Sequence, residues 1–341
     1  MEKILKYPLA LVLAAVLTFS AVALAECGSG SPSSGSGVTV KSEDTNQGID
    51  QDVSIEKTAL IDIPEASVAA DSVSFENDNL CVNLTLTNKT SKPIQVNAGT
   101  LGFSVNYINN YMVSDGYLHE ELEPNESTTE KISFSTAELR ALGIQQVGEI
   151  GLGLEIKNNQ TSSDYSHVNY DQICQQIATI KTNKIDSVDM NADTYPEAIN
   201  NPGFLSLMGV SMVKFNGEGG FDQNGINIKS IALLKNTDEE LTVFVEIQNN
   251  TDKLVGAQAS DVTIDGEMAY EGNWTGVAVA PHKIGLLDIN LDDISNMMSN
   301  QTNDKDENSH LDNVKTVGIE FSVRDEKRNT IVSPTELEFS F

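Results

Sequence analysis

Along much of the chain apolar residues alternate with polar ones. Leu80, Val82, Leu84 and Leu86 are separated by Cys81, Asn83, Thr85 and Thr87, and Leu241, Val243, Val245 and Ile247 repeat the pattern. A period of two with β-branched neighbours predicts half-buried strands. Asn88-Lys89-Thr90-Ser91 and Asn249-Asn250-Thr251-Asp252 follow, with side chains that favour turns. Further strands are expected over 102–108, 131–135, 149–157 and 173–181. Their later counterparts are 262–268, 284–291, 316–324 and 335–341, and residues 136–142 and 292–298 suit a helical turn each.

The two halves are also similar to each other. Residues 80–92 overlie 241–253 at an offset of 161, with Leu, Val, Asn, Thr and Lys at matched places. Pro124 and Ile132 fall on Pro281 and Ile289 at an offset of 157, and 147–156 falls on 314–323 at 167. Collinear blocks separated by loop-sized changes indicate a duplicated domain. The four-residue loss lies in the loops between the first two blocks, and the ten-residue gain in the polar stretch 299–310. Short strands, polar turns and few long helical patterns predict an all-β chain of two tandem immunoglobulin-like antiparallel sandwiches. The domains expected are 58–183 and 204–341, with a linker at 184–203. The apolar run 204–210 should pack on one domain as an edge strand or short helix.

The N-terminus supplies an address. Lys3 and Lys6 precede an uncharged, mostly apolar run from Pro8 to Ala25, the order of a secretory signal over residues 1–26. Residues 27–57 open with Cys27 and a Gly/Ser-rich stretch, read as a flexible tether about 30 Å in typical span. Leu24-Ala25-Glu26-Cys27 resembles the lipobox of bacterial lipoproteins, although Glu26 stands where that family has a small residue. The resemblance implies lipidation at Cys27. Cleavage after Ala25 to give a secreted chain, and an uncleaved anchor of 18 uncharged residues, are the other two outcomes. Each places the body outside the cytoplasm. The Asn-x-Thr-x-Lys segments at 88–92 and 249–253 resemble the immunoglobulin-like, telokin-like domains of Gram-positive surface lipoproteins, which implies the same fold.

Composition narrows the functions. With 50 acidic and 21 basic residues the net charge is −29, and removing residues 1–26 takes away two of each sign. Binding of a nucleic acid backbone is thereby disfavoured, as is direct adsorption to anionic lipid. A membrane is expected to be met only through the N-terminal anchor. Three Cys and four scattered His offer little for a zinc or nucleophilic site, so neither catalysis nor a cofactor is expected. Cys81 and Cys174 could form a disulfide in an oxidising compartment, or be two small buried hydrophobes. Asp304, Asp306 and Asn308 offer the first three ligands of a calcium loop, but Ser309 replaces its Gly and Lys315 its final Glu. Asp186, Asp189 and Asp193 form another acidic cluster, as do Asp288, Asp292 and Asp293. Tyr107, Tyr111, Tyr117 and Trp274 are candidates for a binding surface, or for closing the ends of the sandwich cores. The expected role is a non-catalytic binding or spacer module whose partner is a protein or glycan at the cell surface. The alternatives are a solute- or glycan-binding protein, and a calcium-dependent protein or enzyme built on the Asp clusters.

Overall fold

Alternation builds both sandwiches. A computed structural model of the chain describes residues 48–99, 105–158, 172–202, 205, 209–236, 241–290 and 314–341, the side chains of 267–274 excepted. The leader, Cys27, most of the tether and the Asp304, Asp306, Asn308 group lie outside the described residues. So do 292–298, expected as a helical turn, and with them Asp292 and Asp293.

The first unit runs β1 (Thr58–Asp62), β2 (Ala66–Glu76), β3 (Asn79–Asn88), β4 (Ile94–Ala98), β5 (Asn106–Ile108), β6 (Tyr111–Val113), β7 (Leu118–Leu122), β8 (Ser127–Ser135), helix α1 (Thr136–Ala141), β9 (Glu149–Asn158) and β10 (Gln172–Lys181). Its front sheet is β1-β2-β3-β8; in the back sheet β9 pairs with β10 on one side and with β4 and β5 on the other, and β7 and β6 continue outward. The inward positions of the two sheets form one core, with Val82, Leu84, Leu86, Ile132 and Phe134 facing Ile94, Val96, Leu152, Leu154 and Ile156, all buried.

After helix α2 (Tyr195–Ile199), the second unit comprises β11 (Val210–Asn216), β12 (Phe221–Gln223), β13 (Ile226–Asn236), β14 (Leu241–Asn249), β15 (Val255–Ile264), β16 (Glu267–Val279), β17 (Ile284–Asn290), β18 (Thr316–Asp325) and β19 (Thr330–Ser340). Here β11-β13-β14-β17 is the front sheet and β16-β15-β18-β19 the back sheet. The order matches the first unit strand for strand, with β15 in place of β4 and β5, and β16 in place of β6 and β7. Chains that cross between sheets after β3, β8, β14 and β17 give the Greek-key pattern of immunoglobulin-like sandwiches.

The Asn-x-Thr-x-Lys segments are the same device in both units. The buried Asn88 amide donates to the carbonyls of Lys92 (2.7 Å), Leu122 (3.1 Å) and Glu123 (2.9 Å), while its Oδ1 accepts from Thr90 N and Oγ1. Asn249 donates to Lys253 O (2.7 Å), Val279 O (3.0 Å) and Ala280 O (3.1 Å), and accepts from both Thr251 donors. One side chain thus satisfies three carbonyls at the corner where the chain leaves the front sheet. Buried carbonyls without a partner would each be costly.

Several expected boundaries move. The tether ends earlier than residue 57, because Ile49 and Val53 are buried in the first core and Asp50 N donates to Gln145 O at 2.8 Å. The strand expected over 262–268 is a hairpin tip instead: Asp265 and Gly266 both take positive φ, 49° and 82°, as an Asp-Gly hairpin turn requires. The strand expected from 335 begins at Thr330. The linker is structured, with Tyr195 and Ile199 buried, Leu205 of the following apolar run is buried too, and β11 is the edge strand of its sheet.

The two sandwiches share one sheet. β17 pairs with β6 in parallel, Ile284 opposite Tyr111, so that the back sheet of the first unit continues into the front sheet of the second as eleven strands. The hairpin that makes this contact falls in the stretch where the first unit is four residues longer.

Candidate functional site: the joint between the sandwiches

The joint is built from three elements: the β5–β6 hairpin, the linker before α2, and the outer face of β13, β14 and β17. Tyr107 lies across β9, and Gly151 makes this possible, since a Cβ there would stand 2.0 Å from the ring. The ring carries Lys283 Nζ 4.0 Å from its centroid, a cation–π contact. That ammonium also donates to Asn109 O (2.7 Å) and pairs with Glu149 Oε1 (3.0 Å), with both side chains under one-fifth exposed. Ile284 N donates to Asn110 O (2.7 Å), and Ala280 N reaches Met112 Sδ (3.3 Å).

Beside this pin lies a buried polar cluster. The Tyr111 hydroxyl accepts from Thr194 N and Tyr195 N, both at 2.9 Å, and donates to Asp193 Oδ1 at 3.1 Å. Asp193 Oδ2 is paired with Lys229 at 2.8 Å. Below them Glu246 is wholly buried. Its Oε2 accepts from Ser230 Oγ at 2.6 Å, and its Oε1 has no partner among the described residues. The Tyr195 hydroxyl is likewise buried without a partner among them. Burial, reinforced by the charge of Asp193, pushes the Glu246 carboxyl up to about 8, against the pull of Ser230 and Lys229. Burial also raises the Tyr111 and Tyr195 hydroxyls.

A groove of about 470 Å³ opens alongside, between Asp193 and Pro196 of the linker and Phe215, Phe221, Asp222 and Lys229 of the second sandwich. Through Asp193 and Lys229 it adjoins the cluster.

The residues expected to form a binding surface separate. Tyr107 and Tyr111 are buried in the joint, 5% and 0% exposed, because the hairpin that carries them is clamped between the two units. Tyr117 stands alone at 65% exposed, and the Trp274 side chain lies outside the described residues. Cys81 and Cys174 are free thiols, so of the two readings open for them the disulfide is not formed. Cys81 points from the outer face of the front sheet, 3.6 Å from Ser133 Oγ, whereas Cys174 packs on the core from the opposite sheet. The Asp186, Asp189, Asp193 cluster does not converge. Asp189 turns back on Asn191 N and Asp193 is engaged by Lys229 and Tyr111. Among the described residues no three His, Cys, Asp or Glu side chains come together as metal ligands. His119 bonds Asn97 Oδ1 (2.9 Å) and exposed His282 meets Asp252 (2.8 Å).

Sequence reasoning passed over Glu246, Asp193 as part of a joint, and Lys283. Glu246 carried a signal nonetheless, as the one charged residue in the strand Leu241–Asn249. Lys283 carried none, since the ring that holds it comes from the other unit.

No family model matches the chain, and no curated protein matches it. Among solved structures, it is similar to the exo-chitosanase CsxA of Amycolatopsis orientalis at 10% identity and a TM-score of 0.18, covering 77% of this chain and 26% of that one. An anti-sigma factor domain-containing protein matches at 10% identity and a TM-score of 0.13, covering 76% of this chain and 84% of that one. The chain therefore spans about a quarter of the length of the exo-chitosanase it matches, and likenesses this distant carry no functional argument.

Proposed function

We propose that this chain is an exported, lipid-anchored cell-envelope protein whose paired immunoglobulin-like sandwiches act as a non-catalytic binding or spacer module. The carrying observation is the joint. Two sandwiches that share an eleven-stranded sheet, pinned by Lys283 and roofed by a packed linker, are seated on one another as one body rather than strung as two separate modules. A seated pair is what a spacer needs to hold a surface at a set distance from its anchor. The basic start, apolar run and Cys27 at the head of a Gly/Ser-rich tether support anchorage. The charge of −29 supports a partner that is neither nucleic acid nor anionic lipid.

The test is the intact mass and membrane partition of the protein purified from its own cells. A chain beginning at Cys27 with a diacylglyceryl adduct, recovered with membranes, is the expected result. An unmodified chain beginning at Glu26, recovered in the medium, overturns the anchor and leaves the groove beside Asp193 as the place to seek a soluble ligand.

A further inference from the structure

A wholly buried carboxyl group with one oxygen unpartnered is an odd component for a structural joint. Glu246 is faced from β13 by Lys229 and Ser230, from the linker by Asp193 and Tyr195, and from β6 by Tyr111, while β17 places Asp288, whose carboxyl is also raised by burial, one pair along on the same face. Of these only Lys229 is cationic, and it is already paired with Asp193. An ionised Glu246 would therefore add a second negative charge beside Asp193, with one hydroxyl from Ser230 to solvate it. A protonated Glu246 fits the same surroundings without that charge.

The elements over Glu246 are the ones that hold the two sandwiches together. Asp193 and Tyr195 belong to the linker, and Tyr111 pairs with Ile284 in the shared sheet. Ala232, Leu234 and Ile284 on the second unit belong to the same apolar cluster as Tyr195, Ile199 and Leu205. Whatever disfavours burial of Glu246 disfavours that whole seating.

We propose that the joint is a proton-operated latch: with a proton on Glu246 the linker and the first sandwich stay seated on the outer face of β13 and β14, and loss of that proton to solvent releases them. The direction follows from linkage. A carboxyl held above its ordinary value in the closed state binds more protons closed than open. Closure is then strongest below the ordinary carboxylate range, weakens as pH rises, and levels off above about 8. One proton shifts the balance by up to about tenfold per pH unit inside that window. The latch does not depend on anchoring at Cys27.

The experiment is small-angle scattering of the full chain, with protease cleavage of the linker as a second readout, from about pH 5 to about pH 9. The wild type is expected to lengthen and its linker to become cleavable as pH rises, reversibly. Glu246→Gln is expected to stay closed throughout, while Glu138→Gln, which removes a buried carboxyl of the first sandwich that is likewise raised by burial, keeps the wild-type response. Ser230→Ala removes one hydroxyl only, so it serves should Glu246→Gln fail to fold, and it is expected to enlarge the opening above about pH 8. The latch is overturned by a wild type that does not lengthen, by equal lengthening in Glu246→Gln, or by an unchanged response in Ser230→Ala. It is equally overturned if about 0.5 M salt abolishes the lengthening, since that would assign it to general repulsion of an acidic chain.

Discussion

The two sandwiches have the same strands in the same order, yet the outer faces of their front sheets differ in kind. In the first, Asn83, Thr85 and Thr87 look outward and bond Ser72, Asp71 and Ser127. The matched positions in the second hold Phe244, Glu246 and Gln248, flanked by Ala232, Leu234, Ile284 and Leu286, and the linker and first unit cover this face. The open edge differs too: β8 is the last strand of its sheet, whereas its counterpart β17 is met by β6. This is the arrangement of a short array. The first unit presents a polar face that ends the stack, and the second an apolar face that receives a neighbour. The two units have like cores, and a few outward side chains together with one longer hairpin make them unequal partners.

The largest expected effect tests what the units share. Asn88→Ala and Asn249→Ala each strand three carbonyls at a buried corner and should each cost about 3–4 kcal/mol in equilibrium unfolding. Similar losses are expected because the bond sets are matched. A neutral result in one unit would mean that its corner is held by strand packing alone, and that the likeness there is of shape rather than of energy.

Next in size is a change confined to what differs. Lys283→Met leaves Glu149 without its cation and Asn109 O without its donor at the joint, at a cost of about 2–3 kcal/mol. Calorimetry should then resolve two unfolding transitions where the wild type gives one, because the change weakens the coupling and neither core. A single transition merely shifted downward would show that the shared sheet and apolar seating couple the units without the ammonium.

These residues also mark what could be read from sequence. Period-two alternation located β3, β14 and their partners, and the duplicated Asn-x-Thr-x-Lys segments fell at equal corners. Strands β2 and β13 were passed over because each contains a bulge, between Ala70 and Ser72 and between Ile228 and Ser230, which breaks the alternation midway. β13 adds a second difficulty: Ile231 and Leu233 face its own core while Ala232 and Leu234 face the joint, so the run reads as continuously apolar. The joint itself was illegible in the sequence for a simple reason. Tyr107, Tyr111 and Lys283 acquire their roles by contact between units, and a pattern read within one unit does not contain its neighbour. The four-residue difference between the copies was visible, but nothing in it said that the extra length makes the contact.

The smallest expected effect separates the lysines of the two matched motifs. Lys253 meets Asp325, whose side chain is almost fully buried, while Lys89 meets the exposed Asp62. Bonds from Asn329, then from Lys253, hold the Asp325 carboxyl down to about 2. A carboxyl depressed in the folded state adds stability that is present above its ordinary value of 3.8 and disappears as pH falls toward 2. Asp325→Asn should therefore flatten part of the acid-side decline of stability, whereas Lys89→Met, at an exposed pair, should stay within about 0.5 kcal/mol of wild type at neutral pH. The measurement is the melting temperature of each variant between about pH 2 and about pH 7. A Lys89→Met loss as large as that of Lys253→Met would mean that the lysines stabilise by covering the corner with their methylene stems rather than by charge, because burial of the partner carboxylate is the feature the two sites do not share.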